Sequence, residues 1–269
     1  MKTLKITQLL AATLLTSIFS SANSTELPSG DEIARNINAR DEGVAVSRHL
    51  KMQMTDRHGK IRVRETRALR KYFGDEKRTV IFYLQPKNIK DTAFLTYDYV
   101  DNERDDDQWL YLPAMRKVRR ISASDRGDYF LGTDFSYEDI KLETRVSLKD
   151  YTRKTLGEDE VDGFHCFIVE ETAINTEIAE ELGHLRRESC VDDNLWIVRK
   201  SKIWDPQNKL LKTTYFKDIS LVQGILTAHT IEVENHKTGH QTRFSFSDVD
   251  YKGGVKDQIF TKNALKRGL

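Results

Sequence analysis

Two short stretches constrain this chain more than any other part of it. "TVIFYLQ" (Thr79 to Gln85) and "AFLTY" (Ala93 to Tyr97) have the length of strands, yet they are apolar at odd and even positions alike. "FHCFIV" (Phe164 to Val169) and "LWIV" (Leu195 to Val198) share the pattern. A strand with one face in water alternates, whereas a strand that does not alternate is covered on both faces. Either both sides of the sheet are covered, or one face lines an apolar cavity.

The surrounding pattern is that of an antiparallel β protein. Val44, Val46, Leu50, Met52 and Met54 alternate with polar neighbours. "DRHGK" turns the chain, and Ile61, Val63, Leu69 and Phe73 alternate with Arg62, Arg64, Thr66 and Arg70, which predicts a long antiparallel hairpin. The last third is a meander. "WDPQNK" and "HKTG" are its turns, Ile231 and Val233 alternate outward, and Phe244 and Phe246 answer them. Roughly ten strands with hairpin spacing predict an antiparallel barrel or a strongly curved sheet. Helices are few. Pro28 to Arg40 reads as one, with Ser29 as cap, Asp31 and Glu32 in its first turn, and Ile33 and Ile37 on one face. "TAINTEIAEELGHLRRESC" predicts a helical insertion at about residues 172–190, with Ile174, Ile178, Leu182 and Leu185 on a shared face. It is either a surface decoration or a lid on a cavity.

The N-terminus addresses the compartment. Two lysines within Met1–Lys5, an apolar run from Ile6 to Phe19, and Ser20-Ser21-Ala22 read as a secretory signal peptide over residues 1–22, cut after Ala22. The run is too short to span a bilayer comfortably, and no Cys follows it to be lipidated. Residues 23–269 are then a single exported domain, expected in the periplasm as a monomer. In an oxidising compartment the two cysteines, Cys166 and Cys190, read first as a disulfide, then as free thiols, and last as a catalytic thiol. Formed, the bond would staple the base of the insertion to the strand before it.

Charge and motifs remove several function classes. The formal net charge is +1, which does not suit nucleic-acid binding through overall charge. No GxSxG, HExxH, P-loop or GxGxxG occurs, so no catalytic residue and no cofactor is assigned. His229, His236 and His240 are the closest of seven histidines, and turn-flanking histidines are more often solvated than ligands, so no metal is assigned. "DNERDDD" (Asp101 to Asp107) is carboxylate-rich but lacks the glycine and terminal Glu of an EF-hand loop, and reads as a hairpin tip.

One stretch remains. "DQWLYLPAMRKVRRIS" (Asp107 to Ser122) reads as a strand, a turn at Pro113 to Arg116, and a second strand whose cations splay to both faces. Arg119 and Arg120 would meet an anionic headgroup, a partner's acidic face, or simply Asp134, Glu138 or Asp139 downstream. With its continuation, "QWLYLPAMRKVRRISASDRGDYFLGTDFSYEDI" resembles the signature of the LolA-like outer-membrane lipoprotein-sorting family, in the uncharacterised branch of the LolA/LolB superfamily. "DPQNKLLKTTYFKDI", "TGHQTRFSFSDV" and "IFTKNALKRG" are similar to it as well, so the resemblance covers nearly the whole exported chain. It implies a mainly β fold with a few helices: an incomplete, strongly curved antiparallel barrel whose helices cover an apolar cavity. It also implies a carrier or acceptor of lipids or lipoproteins that binds acyl chains without catalysis, with an inner-membrane RND-type exporter as a possible companion. The alternative is an envelope sensor or adaptor, since the same fold serves in stress sensing. On the motif, Trp109, Tyr111, Leu112, Met115, Phe130, Leu131, Phe135 and Tyr137 are the candidates to line or gate the cavity. Gly132 and Asp134 read as turn-formers.

Overall fold

The computed structural model describes residues 26–99, 104 and 106–269. The leader over residues 1–22, and Asp101, Asn102, Glu103 and Asp105 of the carboxylate run, lie outside the described residues.

Thirteen strands among the described residues form one antiparallel sheet. In chain order they are β1 (Ala45–Thr55), β2 (Ile61–Phe73), β3 (Glu76–Gln85), β4 (Ala93–Asp98), β5 (Asp107–Leu112), β6 (Lys117–Ile121), β7 (Tyr151–Val161), β8 (Phe164–Ala173), β9 (Arg186–Asp192), β10 (Val198–Trp204), β11 (Leu210–Val222), β12 (Ile225–Asn235) and β13 (Gln241–Asp250). The spatial order is β6-β5-β4-β3-β2-β1-β13-β12-β11-β10-β9-β8-β7. Each strand therefore pairs with a chain neighbour except at β1–β13, and the sheet stays open with β6 and β7 as its edges. Among the described residues four α-helices accompany it: α1 (Gly30–Ala39), α2 (Tyr137–Leu142), α3 (Thr176–Leu182) and α4 (Lys262–Arg267).

Local chemistry sets the turns. Asp56 Oδ1 accepts from the backbone of His58 and Lys60 at 2.9 and 3.0 Å, which closes the β1–β2 hairpin. Asp205 does the same for Gln207 and Lys209 between β10 and β11. Ser29 caps α1 by accepting from Glu32 N–H at 3.2 Å.

The strands apolar on both faces have a cover on each. On the inner face, Ile81, Tyr83, Phe94 and Leu110 pack against Phe130, Phe135, Tyr137 and Ile140, together with Leu50, Ile231 and Phe244. Strands from β5 round to β12 thus wrap a single segment, Phe130–Leu142, and that contact sets the curvature. On the outer face, Val80, Phe82, Leu95 and Trp109 pack against Phe260 and Leu265, so α4 closes the other side. A third cluster seats Ile33, Ala34 and Ile37 of α1 over Val169 and Val191.

Several expectations need correction. In β2 it is the polar series that turns inward: Thr66 is 0 % and Arg70 4 % exposed, while Ile61 and Val63 at the hairpin end are exposed. The pairing register forces this, because Val46 and Leu50 oppose Arg70 and Thr66. Ile231 and Val233 also face inward and are buried, with Phe244 directly opposite Ile231. "LWIV" is mostly a turn. Asp192 Oδ1 accepts from Asn194 and Leu195 N–H, so β10 starts only at Val198. The excursion expected over 172–190 holds a helix of only seven residues, α3, because Arg186 onward pairs with β8 and β10 as β9. The Cys166–Cys190 disulfide joins β8 to β9 with Cα atoms 5.4 Å apart, on the face opposite Val169 and Ser189.

Candidate ligand cavity

The concave face is filled from one side by the segment Phe130–Leu142. Ser136 and Asp139 form a reciprocal capping box that starts α2. Aromatic side chains hold the segment down: Phe130 meets Phe94 edge-on at 5.0 Å, and Phe135 stacks on Phe244 at 4.0 Å. Polar groups fix its position. Asp134 is 3 % exposed and accepts from Thr242 Oγ1 at 2.7 Å and Asn235 Nδ2 at 3.1 Å, with His240 Nδ1 on the same carboxylate. It is a bolt to β12 and β13, beyond the turn-forming part expected of it. Lys212 Nζ reaches Asp139 at 2.7 Å, and Lys77 Nζ donates to the Leu142 carbonyl at 3.1 Å, at the C-terminal end of α2.

Between this segment and the sheet lies a cavity of about 90 Å³. Its apolar wall is made by Leu50, Ile81, Phe135, Ile140, Phe244 and Phe246. Its other wall is polar and comes from Arg48, Thr79, Glu143, Arg187, Ser189 and Ser201. Ser189 and Ser201 satisfy each other at 2.7 Å. The space is smaller than the roughly 150 Å³ that holds a benzene ring in an engineered protein core. It admits a few methylenes, and a whole acyl chain enters only if the covering segment moves.

Most charges around the cavity are neutralised in pairs. Arg48 pairs with Glu143, and its guanidinium lies 4.3 Å over the Phe246 ring. Arg70 pairs with Glu42 at 3.2 Å. Burial works to raise the Glu42 carboxyl, but the charges of Arg70 and Lys77 and hydrogen bonds from Tyr72 and Thr144 overcome it and bring it down to about 2. For Glu143 burial again opposes ionisation, and Arg48 and Arg70 outweigh it, so its pKa is lowered. Arg187 is held by Glu171 from the neighbouring strand.

The residues expected to line the cavity divide between two faces. Phe130, Phe135 and Tyr137 belong to the inner cluster, with Leu112 and Leu131 packed at its margin. Among these eight candidates only Phe135 touches the cavity itself. Trp109 and Tyr111 lie on the outer face beneath α4, where Lys262 Nζ sits 5.2 Å from the Trp109 ring. Strand parity puts them opposite Leu110. Met115 is 60 % exposed in the turn before β6. Arg119 is exposed on the inner-facing side of β6, opposite Leu110, and Arg120 is exposed on the outer side, paired with Asp107 at 2.8 Å. The carboxylates first offered as partners are engaged elsewhere: Asp134 with His240, Glu138 with Lys141 and Asp139 with Lys212. Cations on this free edge strand also discourage edge-to-edge pairing.

Sequence reasoning missed the polar wall. Arg48 breaks the apolar series Val46, Leu50, Met52, Met54, and that gap was the available signal. A wider cleft of about 380 Å³ lies against the other face of α2. Its lining is rich in charge, with Arg126 paired to Asp150 at 3.0 Å and Lys141 to Glu138 at 2.9 Å, so it offers an acyl chain little.

A model of a family described only as an uncharacterized protein matches residues 75–267. A comparison with curated proteins finds no match. Among solved structures, a domain from Vibrio parahaemolyticus described as outer-membrane lipoprotein-sorting is 29% identical with a TM-score of 0.79, over 88% of this chain and 98% of that one. A DUF1329 family protein from Desulfovibrio piger is 28% identical with a TM-score of 0.80, over 88% and 97% of the two chains. A LolA superfamily protein from Nitrosomonas europaea shares the fold at 19% identity, with a TM-score of 0.66 over 88% of this chain and 100% of that one.

Proposed function

Because this chain belongs to the LolA-like outer-membrane lipoprotein-sorting family, in an uncharacterised branch of it, we propose that it is a carrier or acceptor of lipids or lipoproteins that takes acyl chains under the segment Phe130–Leu142. The observation that carries this reading is the apolar cavity between an open, curved sheet and a short covering segment. The reading is one of binding and release rather than catalysis. It places the protein in the periplasm, exported by cleavage after Ala22, with residues 23–269 as one domain. The disulfide supports an oxidising compartment.

The exchange is close to balanced. Each buried CH₂ of a ligand contributes about 0.8 kcal/mol. Withdrawing Phe135 and Ile140 from the sheet costs about 1.5–3 kcal/mol for each side chain. A chain of roughly ten methylenes therefore offsets the opening with a modest surplus, which suits a protein that must also let its cargo go.

The test is gentle purification from the cell envelope, followed by native mass spectrometry and lipid extraction. A stoichiometric lipid or acylated protein is expected. An empty protein that stays empty after incubation with envelope lipids would overturn the proposal.

A further inference from the structure

Beside the cavity lies a smaller recess of about 20 Å³ that shares Arg48, Glu143, Ile231 and Phe246 with it. Three guanidinium groups line the recess, Arg40, Arg48 and Arg70, against two carboxylates, Glu42 and Glu143. The lining thus carries one more positive charge than negative. The surplus belongs to Arg40, which bonds only carbonyls: its Nε donates to Ile37 O at 3.2 Å and its Nη2 to Thr144 O at 3.1 Å. Burial lowers the Arg40 pKa, with Glu42 opposing and Arg70 adding to the fall, so its charge is poorly compensated where it sits. Arg48 and Arg70 are 8 % and 4 % exposed, and the Nε of each has no hydrogen-bond partner. Buried unpaired donors on charged groups are costly unless something fills them.

We propose that this recess, which as it stands has room for about one water, widens into a headgroup site when the covering segment moves, and that the ligand is an anionic amphiphile, a single acyl chain ended by a carboxylate or a phosphate, with the anion against Arg40, Arg48 and Arg70 and the chain in the adjoining cavity. The inference rests on the carrier reading and narrows its cargo. Guanidinium groups match carboxylate and phosphate oxygens with paired N–H donors, and an anion supplies the missing negative charge. The shared residues make the two spaces continuous in chemistry: Phe246 and Ile231 continue the apolar wall up to the Arg48 head. An acylated protein N-terminus, neutral at its amide and ester linkages, would leave Arg40 uncompensated.

The test uses the delipidated full-length exported chain and four probes in competition with a fluorescent acyl reporter: hexadecanoate, hexadecyl phosphate, hexadecanol and inorganic phosphate. The two anionic amphiphiles are expected to bind at least about tenfold more tightly than the alcohol, the scale of a charge-assisted hydrogen bond. Arg40→Gln should close most of that gap while leaving hexadecanol affinity unchanged. The wild-type comparison stands even if the variant folds poorly. Equal affinity for acid and alcohol would overturn the headgroup site and leave the carrier reading intact. Failure of every amphiphile to bind would overturn both. Inorganic phosphate binding as tightly as hexadecyl phosphate would also overturn it, since the acyl chain would then contribute nothing.

Discussion

At the scale of single residues, the buried ionisable groups make stability sensitive to acid. Glu42 sits at about 2 in the folded protein against an ordinary value of 4.5. Unfolded chains therefore take up that proton first, and the stability Glu42 contributes is complete above pH 4.5 and is lost as pH falls towards 2. His184 behaves alike in a higher window. Burial, with Arg187 and Lys212 nearby, lowers it from 6.5 to about 4. Its Nδ1 faces the Leu182 carbonyl at 3.1 Å and so carries the proton, while Nε2 accepts from Tyr151 O–H at 2.9 Å. Protonation makes Nε2 a donor, which reverses the second bond, and buries a positive charge beside Arg187 and Lys212. Stability should fall between pH 6.5 and 4 by on the order of 3 kcal/mol from this group. Urea unfolding across that range should show the slope, and His184→Gln should flatten it. None of these roles could be read from the sequence. Alternation reports which residues share a face but not which face is wet, and the neutralising partner of Arg70, Glu42, comes from a loop 28 positions away.

At the scale of elements, placement depends on what covers each face. Strands β3 and β4 were legible as covered on both sides, and they are: by the Phe130–Leu142 segment inside and by Phe260 and Leu265 outside. The outer cover was not legible, because a six-residue helix carries too little periodicity to announce the face it buries. Trp109 and Tyr111 were accordingly assigned to the cavity when parity places them beneath α4. Paired substitutions test this placement. Phe135→Ala removes a cavity wall and should change acyl affinity by about tenfold or more, whereas Trp109→Ala should cost about 3–5 kcal/mol of stability and leave affinity within about twofold. Isothermal titration beside chemical denaturation separates the two effects. A second element-scale test concerns α3. Gly127 N–H donates to Glu181 O at 2.8 Å, and a Cβ at Gly127 would lie 2.4 Å from that oxygen. Gly127→Ala should therefore destabilise by about 1–3 kcal/mol and raise hydrogen exchange in residues 176–182.

At the scale of the whole molecule, one unclosed sheet wraps one short segment, and the segment is held by replaceable contacts. Its apolar side chains could be exchanged for an acyl chain at little net cost, while Asp134, Lys212 and Lys77 give it a defined place to return to. The general architecture was legible early: strand alternation, hairpin turns and the long motif through Asp134 and Tyr137 all pointed to a curved, open antiparallel sheet. The polar end of the cavity was not, because it is assembled from β1, β2, the loop before β1 and the loop after α2, four places with no common local pattern. The central claim is that acyl chains bind on the concave face beneath Phe130–Leu142. Photolabelling with a fatty acid carrying a diazirine in its chain, followed by peptide mapping, tests it most directly. Labels on peptides containing Leu50, Phe135, Ile140 and Phe244 are the predicted result. Labels confined to the outer face around Trp109 and Phe260, or to the exposed β6 edge, would contradict it.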